Sequence, residues 1–354
     1  MLVTDNGKKE KTPTAMGPMR PLQEPTAKVV LQAQGRRKGE EFGLSEAVTI
    51  NYTYPMKILV PEHVGNGTCR WIFPITFGGG LVGGDKVSME IDIEDGCCGL
   101  LTSQEATKVY HCEDDRQTSQ SFVYTVGNEA LLCVLPDYIV CYKDAAYTQT
   151  QEINLCRSGN VVYLDWLTAG RVARNEEWEF NRYLNKTQIK VDGELIFKDQ
   201  VLMQDSPYLT IHQSMKNYKV LGTCVILGSK LKDICADLQT SLCPKKKFGE
   251  KYNTDTVCCI SPINKLGMSG IYIRFMTRTT TEAYEVISDI VGNHRHDDMR
   301  RNDAHFGVEI PTQDDWSLPI LSVASTREVT QAGSCLVLHS VGSPDTKTRI
   351  CVYM

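Results

Sequence analysis

The glycine run Gly78-Gly79-Gly80-Leu81-Val82-Gly83-Gly84-Asp85-Lys86 has the outline of a phosphate-binding loop. Such a loop needs Gly-Lys-Ser/Thr followed by a helix whose first amides hold phosphate. Here Asp85 stands before Lys86 and would repel phosphate, and Val87 to Glu94 alternates apolar and polar as a strand does. A nucleotide role is excluded. The glycines then mark positive φ or close backbone approach. A tight β-connection and a turn that presents the Asp85 carboxylate both fit. The segment Gln104 to Asp115 holds His111, Cys112, Glu113, Asp114 and Asp115, a mixture of soft and hard metal ligands. Neighbours on a strand point to opposite faces, so His111 and Cys112 converge only if a bulge intervenes. Asp165 lies inside Val161-Val162-Tyr163-Leu164-Asp165-Trp166-Leu167, where burial is costly unless the carboxylate is paired or solvated. Arg171 and Arg174 are near in sequence, which gives a structural ion pair; a carboxylate lining a wet internal channel is the alternative. His294, His296, Asp297, Asp298 and His305 form the densest histidine group, read as a solvated loop. No Ser/His/Asp arrangement stands out and no His-Glu-x-x-His occurs.

The elements that must position these residues are mostly strands. Residues 1–25 are rich in Lys, Pro, Thr and Gly and read as a disordered tail. From Ala27 to about Gln204 the pattern is β, with turns at Asp95-Gly96, Ser158-Gly159-Asn160 and Asp192-Gly193. This predicts a sandwich, a barrel or a β-solenoid. No fixed-period repeat marks a regular solenoid. After about residue 215 the register changes. Val220–Leu227 predicts a buried strand. Ser229 is the expected N-cap of a helix whose apolar face is Leu231, Ile234, Cys235, Leu238 and Leu242, ended by Pro244 and Lys245–Lys247. Strands Val257–Ile260 and Ile271–Met276 follow. A second helix begins at the capping box Thr279–Glu282 and ends at Gly292-Asn293. The expectation is a mainly β chain, 26–293, with a β-α-β-β-α unit in 215–293. Residues 294–354 show no clear face and are unassigned.

The chain has 354 residues, 42% hydrophobic, with a formal charge of −5. That length buries one large core. A nucleic-acid binder shows a basic excess, which is absent. No apolar run approaches the ~20 residues that span a bilayer. The polar start has no apolar signal region, so a cytoplasmic location is expected. The 14 cysteines include no Cys-x-x-Cys pair. Cys133, Cys141, Cys224, Cys258 and Cys259 sit in apolar runs and predict free buried thiols. The Asn-x-Thr sites at Asn51, Asn66 and Asn185 are then expected to be unmodified.

Several segments, in order, resemble the urease accessory protein D (also called H) family: Tyr52–Pro61, Phe77–Asp85, Thr102–Tyr110, and Leu164–Arg171 with Ala173–Trp178, plus a weaker match at Val134-Leu135-Pro136-Asp137. The resemblance covers about residues 27 to 290. It implies a β-helix-like wrap of strands with two α-helices and no enzymatic activity. It also implies binding to apo-urease and to accessory protein F, which recruits the GTPase accessory protein G. The family has no tightly bound cofactor; Ni²⁺ passes in transit to a urease site containing a carbamylated lysine. Matched residue by residue, the candidates for a water-filled nickel passage are Asp85, Thr107, Asp165 and Asp199. Several weakly binding carboxylates suit an ion that must leave. Asn175 stands where the family usually has Gly, and Lys86 where an acid often follows. The region beyond Asn293 does not match. Two other classes fit less well. A β-rich carbohydrate-active enzyme needs paired acids in an aromatic groove, and aromatics do not cluster around these acids in sequence. A pure interaction module would have no ion role.

Overall fold

The computed structural model describes residues 24–36, 40–62, 67–112, 116–242 and 255–292. The expected N-terminal tail, the lysine run, the histidine group and the C-terminal extension lie outside these residues, Glu24 and Pro25 excepted.

In chain order the strands are β1 (Ala27–Gln34), β2 (Leu44–Tyr52), β3 (Met56–Leu59), β4 (Arg70–Thr76), β5 (Lys86–Ile93), β6 (Cys98–Leu101), β7 (Thr107–Val109), β8 (Thr118–Val126), β9 (Leu131–Val134), β10 (Ile139–Cys141), β11 (Ala146–Leu155), β12 (Asn160–Thr168), β13 (Arg182–Val191) and β14 (Glu194–Met203). They are followed by α1 (Ile211–Met215), β15 (Val220–Leu227), α2 (Lys232–Ser241), β16 (Thr256–Lys265), β17 (Met268–Thr277) and α3 (Thr280–Gly292). One sheet runs β14-β13-β11-β8-β5-β1-β2. The other runs β16-β17-β15-β12-β9-β6-β4-β3, with β10 and β7 continuing beside β12.

The chain lays β5, β8 and β11 in the first sheet and β6, β9 and β12 in the second, alternating between them. Within each sheet these strands are parallel. The result is a wrapped, solenoid-like β fold built without a sequence repeat. Parallel neighbours need crossovers, and here the opposite sheet supplies them. The Asp192-Gly193 hairpin closes the wrap at β13–β14, both residues having positive φ.

Strand patterns follow burial. In β5, Val87, Met89, Ile91 and Ile93 face the space between the sheets. Every residue of β12 is buried, as expected of a strand covered on both faces. Val161, Tyr163 and Leu167 join the core between the sheets, whereas Val162, Leu164 and Trp166 join a second core under the helices. That second core contains Leu231, Cys235 and Leu238 from the α2 region and Ala283, Ile287 and Ile290 from α3. The capping box of α3 is formed: the Glu282 amide donates to Thr279 Oγ1 at 3.2 Å, and the Thr279 amide donates to Glu282 Oε2 at 3.1 Å. Trp166 receives Tyr284 of α3 edge-on, with ring centroids 5.0 Å apart.

Some expectations are corrected. Ser229 does not cap α2; it sits in a 3-10 turn, Ser229–Leu231, that leads into the helix, and Leu231 takes the cap position without a side-chain bond. Among the described residues three α-helices are present rather than two. The extra one, α1, is a short turn closed by a Thr210–Gln213 capping box. Cys258 is half-buried and Cys259 exposed, because β16 is the sheet's edge; Cys133, Cys141 and Cys224 are buried. All described cysteines are free. Among the described residues no helix is long and apolar enough to cross a membrane.

Gly222 marks the tightest internal approach in β15: a Cβ there would lie 2.1 Å from the Phe275 ring. Gly222→Val is therefore expected to lose roughly 2 kcal/mol or more by overpacking. Urea unfolding checks this, with Phe275→Leu added to the variant expected to restore part of the loss. An unchanged midpoint would contradict this packing.

Candidate functional site

The space between the sheets is apolar at its ends and polar in the middle. The polar layer arises from register. On the first sheet Gln120 of β8, Gln149 of β11 and Asn185 of β13 are direct neighbours, and so are Gln151, Thr187 and Asp199 of β11, β13 and β14 one step along. These amides and hydroxyls occupy the inward phase that Ile153 and Ile189 continue as apolar residues. Facing them on the second sheet, Asp165, Thr223 and Arg274 form one row across β12, β15 and β17.

Asp165 is the centre of this layer and is 5% exposed. Gln149 Nε2 donates to its Oδ1 at 3.0 Å, and Asn185 Nδ2 donates to its Oδ2 at 2.5 Å. The Tyr147 hydroxyl lies 2.6 Å from Gln120 Oε1 and 2.8 Å from Gln149 Oε1, and the Tyr124 hydroxyl donates to Gln151 Oε1 at 3.0 Å. The Tyr163 hydroxyl and Thr187 Oγ1 are 3.3 Å apart. Burial pushes the Asp165 carboxyl up to about 6, against the lowering effect of Gln149 and Tyr183 and with a further upward push from the Asp199 charge. At neutral pH the ionised form therefore predominates, held by neutral donors rather than by a cation. Arg171 and Arg174 are not its partners: Arg171 pairs with Glu176 and lies over the Tyr142 ring at 4.2 Å. The intervening backbone explains the correction. After β12 the chain leaves the sheet at Gly170, with φ +128°, and enters a 3-10 turn, Val172–Arg174. Asn175 ends that turn at φ +61°, which Asn tolerates.

The other expected residues fall in different places. Asp199 borders the same layer: Arg274 Nη2 approaches its two oxygens at 3.0 and 2.8 Å, and the Tyr272 hydroxyl donates at 3.0 Å. Thr107 lies in register with Ile139 and, through it, with Leu167, so apolar side chains stand between it and Asp165. Asp85 is engaged in its own turn. Its Oδ2 accepts from the Val82 amide at 2.9 Å, and its backbone amide donates to the Val82 carbonyl at 3.0 Å. The glycine run packs this turn against the following segment: a Cβ at Gly80 would lie 2.7 Å from the Lys108 carbonyl, and one at Gly83 would lie 2.8 Å from Cys112 Sγ. His111 is exposed, and no group of three or more metal-ligating side chains occurs among the described residues. The structure therefore joins Asp165 and Asp199 through one polar layer and leaves Asp85 and Thr107 outside it.

Gln120, Gln149, Gln151, Asn185, Thr187 and Arg274 were not legible as site residues. The one available signal was phase: Tyr147, Gln149 and Gln151 occupy the same alternation as the buried Ile153 and Leu155.

The Asp165 carboxyl titrates near 6 in the folded chain, above its ordinary 3.8, so protonation favours folding. Its contribution is fully present below the ordinary value and is lost as pH rises through about 6, a difference of about 3 kcal/mol. Asp165→Asn cannot ionise and is expected to gain stability relative to the parent over that window, by up to about 3 kcal/mol at neutral pH. Parallel stability profiles for the two proteins would show that no charge is buried there.

The family model described as UreD urease accessory protein matches residues 26–305. Urease accessory protein D of Oryza sativa subsp. indica is 30% identical over 254 residues, covering 66% of this chain and 83% of the rice protein. The Arabidopsis thaliana protein of the same name is 36% identical over 220 residues, covering 61% of this chain and 72% of its own length. Urease accessory protein UreD of Anaeromyxobacter sp. (strain Fw109-5) is 33% identical over 196 residues, covering 55% and 65%. With a family match spanning nearly all of the described fold, this chain belongs to the UreD urease accessory protein family.

Proposed function

We propose that the chain is a non-catalytic scaffold of urease maturation, working in the cytoplasm. It binds apo-urease and accessory proteins F and G, and its inter-sheet polar layer is part of the route by which Ni²⁺ reaches the urease site. Membership of the accessory family supports the maturation role. The single observation that supports an ion route is Asp165: a buried carboxylate, mostly ionised at neutral pH, held by the neutral amides of Gln149 and Asn185. A purely structural carboxylate is normally paired with a cation or exposed. This one offers a residual negative charge, and carboxylate, amide oxygen and hydroxyl are hard donors that suit a divalent ion in passage. Asn185 Oδ1, buried and without a hydrogen-bond partner, adds an unused acceptor beside the carboxylate. Thiolate capture is disfavoured, since burial pushes Cys133, Cys141 and Cys224 up and keeps them protonated. Asp85 acts in this reading by holding the glycine turn. Thr107 lies off the layer, and Asp199 is the place where the route meets the surface.

Exposed apolar groups favour direct protein contacts as well. Tyr54 is 80% exposed and stacks on Phe77, itself 51% exposed, with centroids 6.0 Å apart. Tyr208 is 96% exposed beside Leu209. Such groups are common anchors at interfaces.

Co-expression of Asp165→Asn with urease and the other accessory proteins is expected to leave the assembled complex intact and to lower urease nickel content at least about tenfold, since the ion loses the buried charge of the layer. Nickel measured on purified urease, with complex formation read by pull-down, checks this. Full nickel loading through an intact complex would reject the route and leave a pure interaction role.

A further inference from the structure

The polar layer ends at Arg274. This residue shares a row with Thr223 and Asp165 on the inner face of the second sheet, and it reaches across to Asp199 on β14 of the first. Both close contacts to the carboxylate come from Nη2, at 2.8 and 3.0 Å. Nε is buried and has no hydrogen-bond partner, so the two-nitrogen fork that makes arginine–carboxylate pairs strong is only partly used. The side chains are 42% and 23% exposed, so solvent screens the pair as well. Inward from Asp199 the next positions are Thr187, in register with it, and then Asn185 with its unpartnered Oδ1, which touches Asp165 through its amide nitrogen. A cation moving between solvent and Asp165 along this line meets Asp199 first, and Asp199 already holds a tethered cation.

We propose that Arg274 is a releasable stopper: its guanidinium holds the carboxylate of Asp199 at the surface end of the layer, and a divalent cation enters or leaves there only by displacing it. The inference rests on reading the layer as an ion route. Two cations cannot share one carboxylate without repulsion, so the guanidinium lowers the affinity of Asp199 for any metal ion while it is in place. The imperfect geometry makes displacement feasible. Tyr272 donates to Oδ2 and keeps the carboxylate oriented when the arginine leaves. The arrangement keeps a partly exposed acid from collecting stray cations.

The test is Ni²⁺ titration of the purified full-length chain by calorimetry, using nickel chloride alone. Arg274→Gln is expected to bind Ni²⁺ at least about tenfold more tightly than the parent, by removal of a charge beside the carboxylate. The gain should vanish when Asp199→Asn is added. Unchanged affinity in a folded Arg274→Gln variant overturns the proposal, and so does a gain that survives Asp199→Asn. Should Arg274→Gln not fold, Arg274→Lys is read instead. Its more strongly hydrated ammonium competes less well for the carboxylate, so a smaller gain is expected, and parent-like affinity overturns the proposal. Urease nickel content in the Asp165→Asn co-expression is a separate readout. Full loading there rejects the route, and the stopper with it, whereas the Asp199 titration rejects the stopper alone, so the two failures are told apart.

Discussion

Asp165 is removed from water between two sheets, and much of the interior is arranged around that fact. Its strand, β12, has a helix-covered core on one face and the opposite sheet on the other, so the carboxylate has no path to bulk solvent along its own strand. An isolated buried charge is costly, and it persists only where donors surround it. Gln149 and Asn185 provide those donors, and each then needs its own surroundings to be polar. Gln149 meets the Tyr147 hydroxyl, which in turn lies against Gln120. One carboxylate thus extends polarity across β8, β11 and β13, and burial pushes the tyrosine hydroxyls up so that they stay protonated donors. Such networks are specific to one register: sliding any of these strands by a residue would turn its amides outward and its polar outer residues in.

The motif segments that identify the family converge at one end of the wrap. The Phe77 amide donates to the Pro55 carbonyl, and the Leu81 amide to that of Lys108. The Tyr142 amide donates to Val109, and Arg171 lies over the Tyr142 ring. Segments far apart in sequence are therefore joined by hydrogen bonds and a cation–π contact, which gives their order along the chain a physical meaning. The wrap fixes which coil lies beside which.

Much of the fold was legible because alternation and turn chemistry are local. Val87 to Ile93, the Asp192-Gly193 hairpin and the Thr279–Glu282 cap all follow from neighbours in sequence. Asp165 stood out as an acid in an apolar run. Its partners did not, because the wrap brings Gln149 and Asn185 to it from other coils while the near arginines turn away after Gly170. Neutral amides also carry no charge signature, so a run such as Thr148-Gln149-Thr150-Gln151 reads as an exposed strand when half of it is interior. Cys258 and Cys259 failed for the opposite reason: an apolar run on an edge strand is covered on one side at most. The helix α1 is too short for periodicity to reveal.

The parallel pairing of β5, β8, β11 and β13 also shapes how the chain acquires its structure. Lys86 pairs with Ser119, Gln120 with Gln149, and Gln149 with Asn185, so each coil closes a loop of many residues before its contacts form. Such a topology folds slowly, and incomplete coils present open strand edges in the meantime. The last of these coils is sealed by the β13–β14 hairpin, the piece that also brings Asp199 to Arg274. The interior is finished when the newest part of the sheet arrives, so a truncated or stalled chain would expose its amide-lined face to other chains rather than to its own second sheet.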